Sequence, residues 1–171
     1  MHLFQFTSAA LFLCVVSAVN PGDPPPVPPR TVFCDIRREG PPIVAISSNS
    51  MVNGLELTDS AYQASLAVNG FNGGYGFNGG IGAFDGCHYF YLNIVPSIKS
   101  YKQLVWQFDD KVTTTWGVGT NGIINTRASK DYPASSTFLA CPGGSGRWFL
   151  YLQTGTDKPL SHCYNTQLQL K

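Results

Sequence analysis

Charge is scarce in this chain. Eleven Lys and Arg stand against ten Asp and Glu, 12% of 171 residues, and the formal net charge is +1. An average soluble domain carries about a quarter charged residues. No field of either sign builds up to steer the protein toward nucleic acid or acidic lipid. Long apolar runs are missing too. The stretch at residues 9–16, AALFLCVV, falls well short of the roughly 20 residues that span a bilayer, and no later stretch is longer. The catalytic vocabulary is equally thin. There is no C-x-x-C pair for a zinc or redox site, no G-x-S-x-G elbow, no phosphate-binding glycine loop and no EF-hand. Of three histidines, His2 precedes the apolar run, while His88 and His162 each adjoin a cysteine. A nucleophilic triad therefore has almost no base to draw on.

What is present begins with a leader. The apolar run is followed by Val16-Ser17-Ala18, whose small residues suit a signal-peptidase site, although only His2 and the terminal amine supply its positive end. Residues 1–18 are therefore expected to be a signal peptide. Residues 19–31 hold a proline arm, NPGDPPPVPPR, whose six prolines lack amide donors, so it should stay extended outside any sheet. Residues 32–171 are expected to form one secreted all-β domain, large enough for a real core.

Within that domain, alternation and β-branching predict strands at 43–46, 64–68, 88–94, 102–108, 112–118, 137–141 and 147–153. Asn121-Gly122 and Gly143-Gly144-Ser145-Gly146 read as turns, and 108–111 reads as a hairpin connection between its neighbouring strands. Only residues 57–63 suit a helical turn. The expected fold is a single antiparallel β-barrel or β-sandwich stapled by two disulfides. Trp106, Trp116 and Trp148 read as core, and Tyr89, Tyr91 and Tyr151 as an outward aromatic ladder.

Four cysteines follow the leader: Cys34, Cys87, Cys141 and Cys163. An even count behind a leader points to an oxidising compartment. Three connectivities exist. Chain order and strand placement favour Cys34 with Cys87 and Cys141 with Cys163, worth roughly 4 and 3 kcal/mol by loop entropy. No metal and no cofactor is expected.

Two sets of residues invite a functional reading. Gly70-Phe71-Asn72-Gly73-Gly74-Tyr75 is repeated at once by Gly76-Phe77-Asn78-Gly79-Gly80-Ile81. Its aromatics, Phe71, Tyr75 and Phe77, on glycine turns, are candidates for contact with a glycan or a partner protein. The carboxylates Glu39, Glu56, Asp85, Asp109 and Asp110 are the pool for glycoside hydrolysis, which needs two facing carboxyl groups. His88, Glu56 and Arg147 are the corresponding ribonuclease-like trio. Asp109-Asp110 is better explained by turn formation. No catalytic residue and no enzyme activity is expected.

Several short islands then acquire a common meaning. Ile43-Val44-Ala45-Ile46-Ser47-Ser48, Phe90-Tyr91-Leu92, Gln103-Leu104-Val105 and Phe138-Leu139-Ala140-Cys141-Pro142, with Trp148 and Cys163 downstream, resemble the PhiA-like fungal cell-wall proteins. The likeness runs from Cys34 to Cys163. It implies a small secreted β protein of the fungal wall or extracellular space, linked to conidiation and wall assembly, with the cysteines in place and no catalytic residues to transfer. The expected partner is cell-wall polysaccharide or an extracellular protein, with no nucleic acid and no membrane span. Two other classes stay open: an effector-like protein acting through the 69–86 loop or a sheet edge, and a small secreted hydrolase or ribonuclease.

Overall fold

Strand-forming residues bounded by turn chemistry decide the architecture. The computed structural model describes residues 40–70, 80–84, 88–108 and 112–171, and the backbone of 74–75. Among these residues twelve strands are seen: β1 (Ile43–Ile46), β2 (Glu56–Ser60), β3 (Gln63–Ala67), β4 (Gly74–Tyr75), β5 (Ile81–Phe84), β6 (Tyr89–Ile94), β7 (Tyr101–Gln107), β8 (Trp116–Val118), β9 (Ile124–Thr126), β10 (Phe138–Pro142), β11 (Trp148–Gln153) and β12 (Tyr164–Leu170). Among the described residues there is no helix.

Ten strands form one sheet in the order β10-β12-β1-β2-β3-β11-β7-β6-β5-β4, and β8 pairs with β9 separately. Every pairing is antiparallel, from β1 with β12 through β6 with β7. β10 bonds β12 along one edge and β11 along the other, so bonded neighbours run β1–β2–β3–β11–β10–β12 and return to β1. The second edge of β11 is shared. Trp148 and Phe149 face Leu66 and Ser65 of β3, and from Tyr151 onward the same edge faces Gln103, Lys102 and Tyr101 of β7.

The expected helical turn at 57–63 is not formed. Leu57 and Thr58 are buried, and β2 pairs residue for residue with β3 from Glu56↔Ala67 to Ser60↔Gln63. Flanking strands override a sequence too short to nucleate a helix. The hairpin expected across 108–111 is also corrected. β7 pairs with β6, β11 and β3, whereas β8 pairs with β9; residues 109–111 lie outside the described set. Instead, the segment before β8 is strapped to β6 by side chains. Asn93 Oδ1 accepts from the Thr113 amide at 2.7 Å, and Thr113 Oγ1 accepts from the Ile94 amide at 3.2 Å.

Leu57, Leu66, Leu92, Leu104, Phe138 and Leu150 sit in the main core. Trp106 and Trp116 are 1% exposed. Trp148 is half-buried and packs on Tyr164 at 5.6 Å between ring centroids. β10 is buried on both faces. Phe138 and Ala140 enter the main core, while Leu139 and Cys141 join Cys163 in a second cluster covered by Tyr101 and Tyr151. No tyrosine ladder forms, because β7 separates Tyr91 of β6 from Tyr151 of β11.

Cys141 and Cys163 are bonded, with S–S 2.06 Å and Cα atoms 4.2 Å apart. The other expected bridge, Cys34 with Cys87, lies outside the described residues.

One buried group works against the fold. Ser65 on β3 is fully buried and its hydroxyl has no hydrogen-bond partner. An unsatisfied buried hydroxyl costs about 1–3 kcal/mol. Ser65→Ala is therefore expected to raise the urea midpoint, by about 1 kcal/mol of stability; an unchanged or lower midpoint would show that the hydroxyl is satisfied in solution.

The β8–β9 connection shows a glycine requirement. The Gly122 amide donates to Gly119 at 3.0 Å, and the Gly119 amide donates to Ile123 at 2.8 Å. Gly122 has φ +75, as the residue closing a three-residue hairpin loop must. A Cβ there would meet the Leu170 carbonyl at 2.9 Å, just where the Leu170 amide bonds the Gly122 carbonyl. Gly122→Ala should cost about 1–3 kcal/mol in chemical denaturation. Gly119→Ala, with no neighbour nearer than 3.6 Å, should stay within about 0.5 kcal/mol. Equal losses would remove the conformational explanation.

Candidate functional site

The β2–β3 turn puts a large aromatic side chain where the backbone resists it. Ala61 and Tyr62 link the paired residues Ser60 and Gln63, and both have positive φ, 49 and 68. This is the two-residue hairpin geometry that Asn-Gly adopts freely, and that costs residues bearing a Cβ about 1–2 kcal/mol each. The Tyr62 carbonyl is fixed by the Trp106 amide at 2.7 Å. Its side chain is 62% exposed.

Aromatic rings continue from there. Phe108, just past the end of β7 and 45% exposed, meets Tyr62 at 6.1 Å and 75° between planes. The exposed His88 meets Phe108 at 5.8 Å and 82°. Beneath them Phe90 contacts Phe108 at 5.5 Å and Trp106 at 5.4 Å, which ties the surface rings to the core. Alongside on β6, Tyr89 is 54% exposed and its ring lies 4.6 Å from that of Phe84. The edge-on contacts of Phe108 with Tyr62 and with His88 satisfy ring quadrupoles.

The residues singled out from sequence fall differently. Phe71 and Phe77 lie outside the described residues, and for Tyr75 only the backbone is described, opposite Ile81. Glu39, Asp85, Asp109 and Asp110 also lie outside them. Of the ribonuclease-like trio, His88 stands at the Tyr62 turn against Phe108. Glu56 starts β2 at its other end, four residues before Ser60, which is about 13 Å along a strand. Arg147 is exposed, and its Nη1 donates to the Asp59 carbonyl at 3.1 Å.

A shallow groove of about 400 Å³ lies between 133–137 and 153–158, lined by Ser135, Thr137, Gln153, Thr154, Lys158 and Asn165 among others. Several of its polar groups hold the loop together. Gln153 Nε2 donates to the Gly155 carbonyl and, at 3.2 Å, to that of Asp157. Ser135 Oγ donates to the Gln153 carbonyl at 2.7 Å and Lys158 Nζ to that of Cys163 at 3.1 Å. Lys102, almost fully buried on β7, has the same kind of task, its Nζ donating to the carbonyls of Ser97 and, at 2.5 Å, Lys99. Nearby, a hydrogen bond to the Tyr101 side chain and then its charge hold the exposed Lys99 amine above its ordinary value.

No family model, no curated protein and no solved structure matches this chain. The exposed rings around Tyr62 are thus read from their own geometry.

Proposed function

We propose that this is a non-enzymatic secreted protein of the fungal cell wall or extracellular space, structural or adhesive at the wall and linked to conidiation, as the resemblance to PhiA-like proteins implies. The observation that carries the reading is the set of solvent-facing rings at Tyr62, Phe108 and His88 on a chain with little charge. Ring faces carry partial negative charge and attract the polarised C–H groups of a sugar. The Cys141–Cys163 bond agrees with an oxidising compartment. Within the same reading, the circuit of bonded strands is a barrel, the second bridge joins Cys34 to Cys87, and Phe71, Tyr75 and Phe77 add a second contact within residues 69–86.

Sedimentation of the purified protein with insoluble chitin, β-glucan and hyphal wall tests the reading. Retention by at least one of them is expected. Failure to pellet with any would overturn it and turn attention to protein partners. The loop contact is best tested by replacing Phe71, Tyr75 and Phe77 together with alanine. Deleting 69–86 would remove β5, whose Ile81 and Ala83 are buried in the core.

A further inference from the structure

We propose that Tyr62 and Phe108 form a corner that takes a single glycan chain, one pyranose ring at a time, and not a platform for crystalline polysaccharide. The inference rests on the wall-glycan reading and gives that reading a site and a ligand form.

Strain at the turn is the first sign. Two residues with a Cβ occupy the left-handed region in succession at the β2–β3 turn. An Asn-Gly pair would make the same hairpin without that cost. Tyr62 returns little of it through packing, since most of its ring faces solvent and the ring it meets, Phe108, is itself half-exposed. A strained backbone that displays a large exposed side chain points to a use for that side chain.

Geometry sets the ligand's form. A crystalline polysaccharide presents a plane, and rings that grip it together must be coplanar. Here Tyr62 and Phe108 stand 75° apart and His88 and Phe108 82° apart. Neither pair can lie flat on one plane. Two exposed rings set nearly upright to one another instead make a corner. One pyranose stacks on one ring with its rim against the other. Chemistry sets the class: the corner offers aromatic rings, a phenol hydroxyl and an imidazole, groups that stack on and hydrogen-bond a sugar ring.

Titration of the wild-type protein with soluble chitohexaose, laminarihexaose and cellohexaose, followed by NMR or calorimetry, tests this beside Tyr62→Gly and Phe108→Ala. Glycine relieves the strained turn, so Tyr62→Gly should unfold at the same or a higher denaturant concentration than wild type. The expected result is saturable binding of at least one oligosaccharide, weakened about tenfold or more by Tyr62→Gly at undiminished stability, with a similar loss in Phe108→Ala. Binding by Tyr62→Gly equal to wild type overturns the corner. So does a wild type that pellets with crystalline chitin but ignores every soluble chain. If wild type pellets with hyphal wall and Tyr62→Gly pellets equally well, only the corner falls. If wild type binds neither wall nor oligosaccharide, the reading beneath it falls as well.

Discussion

Replacing Trp116 with alanine is expected to remove about 3–5 kcal/mol of stability, the range for truncating a large buried aromatic side chain. Trp116 opens β8 in the small two-stranded sheet, which looks peripheral by its pairing. Its side chain tells otherwise. The indole is 1% exposed, stacks on Phe138 at 6.3 Å and 18°, and donates from Nε1 to the Leu92 carbonyl on β6 at 3.0 Å. Truncation would leave a cavity under β6 and β10 and deprive a buried carbonyl of its donor. Against a total of about 5–15 kcal/mol for a domain, such a loss removes a large part of the margin. Trp116→Phe separates the two contributions: it keeps most of the volume and loses the hydrogen bond, and should cost less than half as much. Both are read from urea denaturation with far-UV circular dichroism. A loss below about 1 kcal/mol for the alanine variant would mean that the β8–β9 hairpin is an appendage and not part of the core.

Trp116 also marks where sequence patterns served well. Strands rich in β-branched and aromatic residues (β1, β6, β7 and β11) were legible, as were β3 and β10 from their other apolar residues, because burial on at least one face of a sheet demands such side chains. Asn121-Gly122 and the Gly143–Gly146 turn were legible for a different reason, the left-handed φ at Gly122, Gly144, Ser145 and Gly146. β2 and β12 were not legible. ELTDS and YNTQLQL carry few apolar residues, and both extend because strands bond them on each side: β1 and β3 for the first, β1 and β10 for the second. In β12 only Thr166 and Leu168 are buried, too short an alternation to stand out among glutamines.

The candidate site was hidden more thoroughly. An Ala-Tyr pair does not announce a hairpin turn, since its residues resist the backbone angles they adopt. Phe108, read as the end of a strand, is exposed because β7 stops at Gln107. The sequence directed attention instead to the G-F-N-G-G repeat, whose aromatics are conspicuous by spacing. Exposure is a property of the fold, and a linear pattern does not carry it.

Replacing Cys141 and Cys163 together with alanine, with Cys34 and Cys87 left in place, is expected to cost about 3 kcal/mol. The bond spans 22 residues of sequence, and closing a loop of that size restricts the unfolded chain by roughly this amount. Native strand pairing lets the bond deliver that in full. Ala140 already faces Tyr164 in the β10–β12 ladder, so the neighbouring cysteines meet in register and the bond asks no detour of the backbone. Alanine is the right replacement, since both cysteines are buried and serine would add two hydroxyls to the cluster of Leu139, Tyr101 and Tyr151. Equilibrium unfolding of the double variant, beside wild type with and without reductant, measures the effect. A loss well under 1 kcal/mol would mean that residues 141–163 remain close together in the unfolded chain, through structure that needs no covalent tie. A loss near the expected value would make the fold dependent on oxidation. Such a domain would reach its working form only in an oxidising compartment, where the bond that holds β10 to β12 forms and persists.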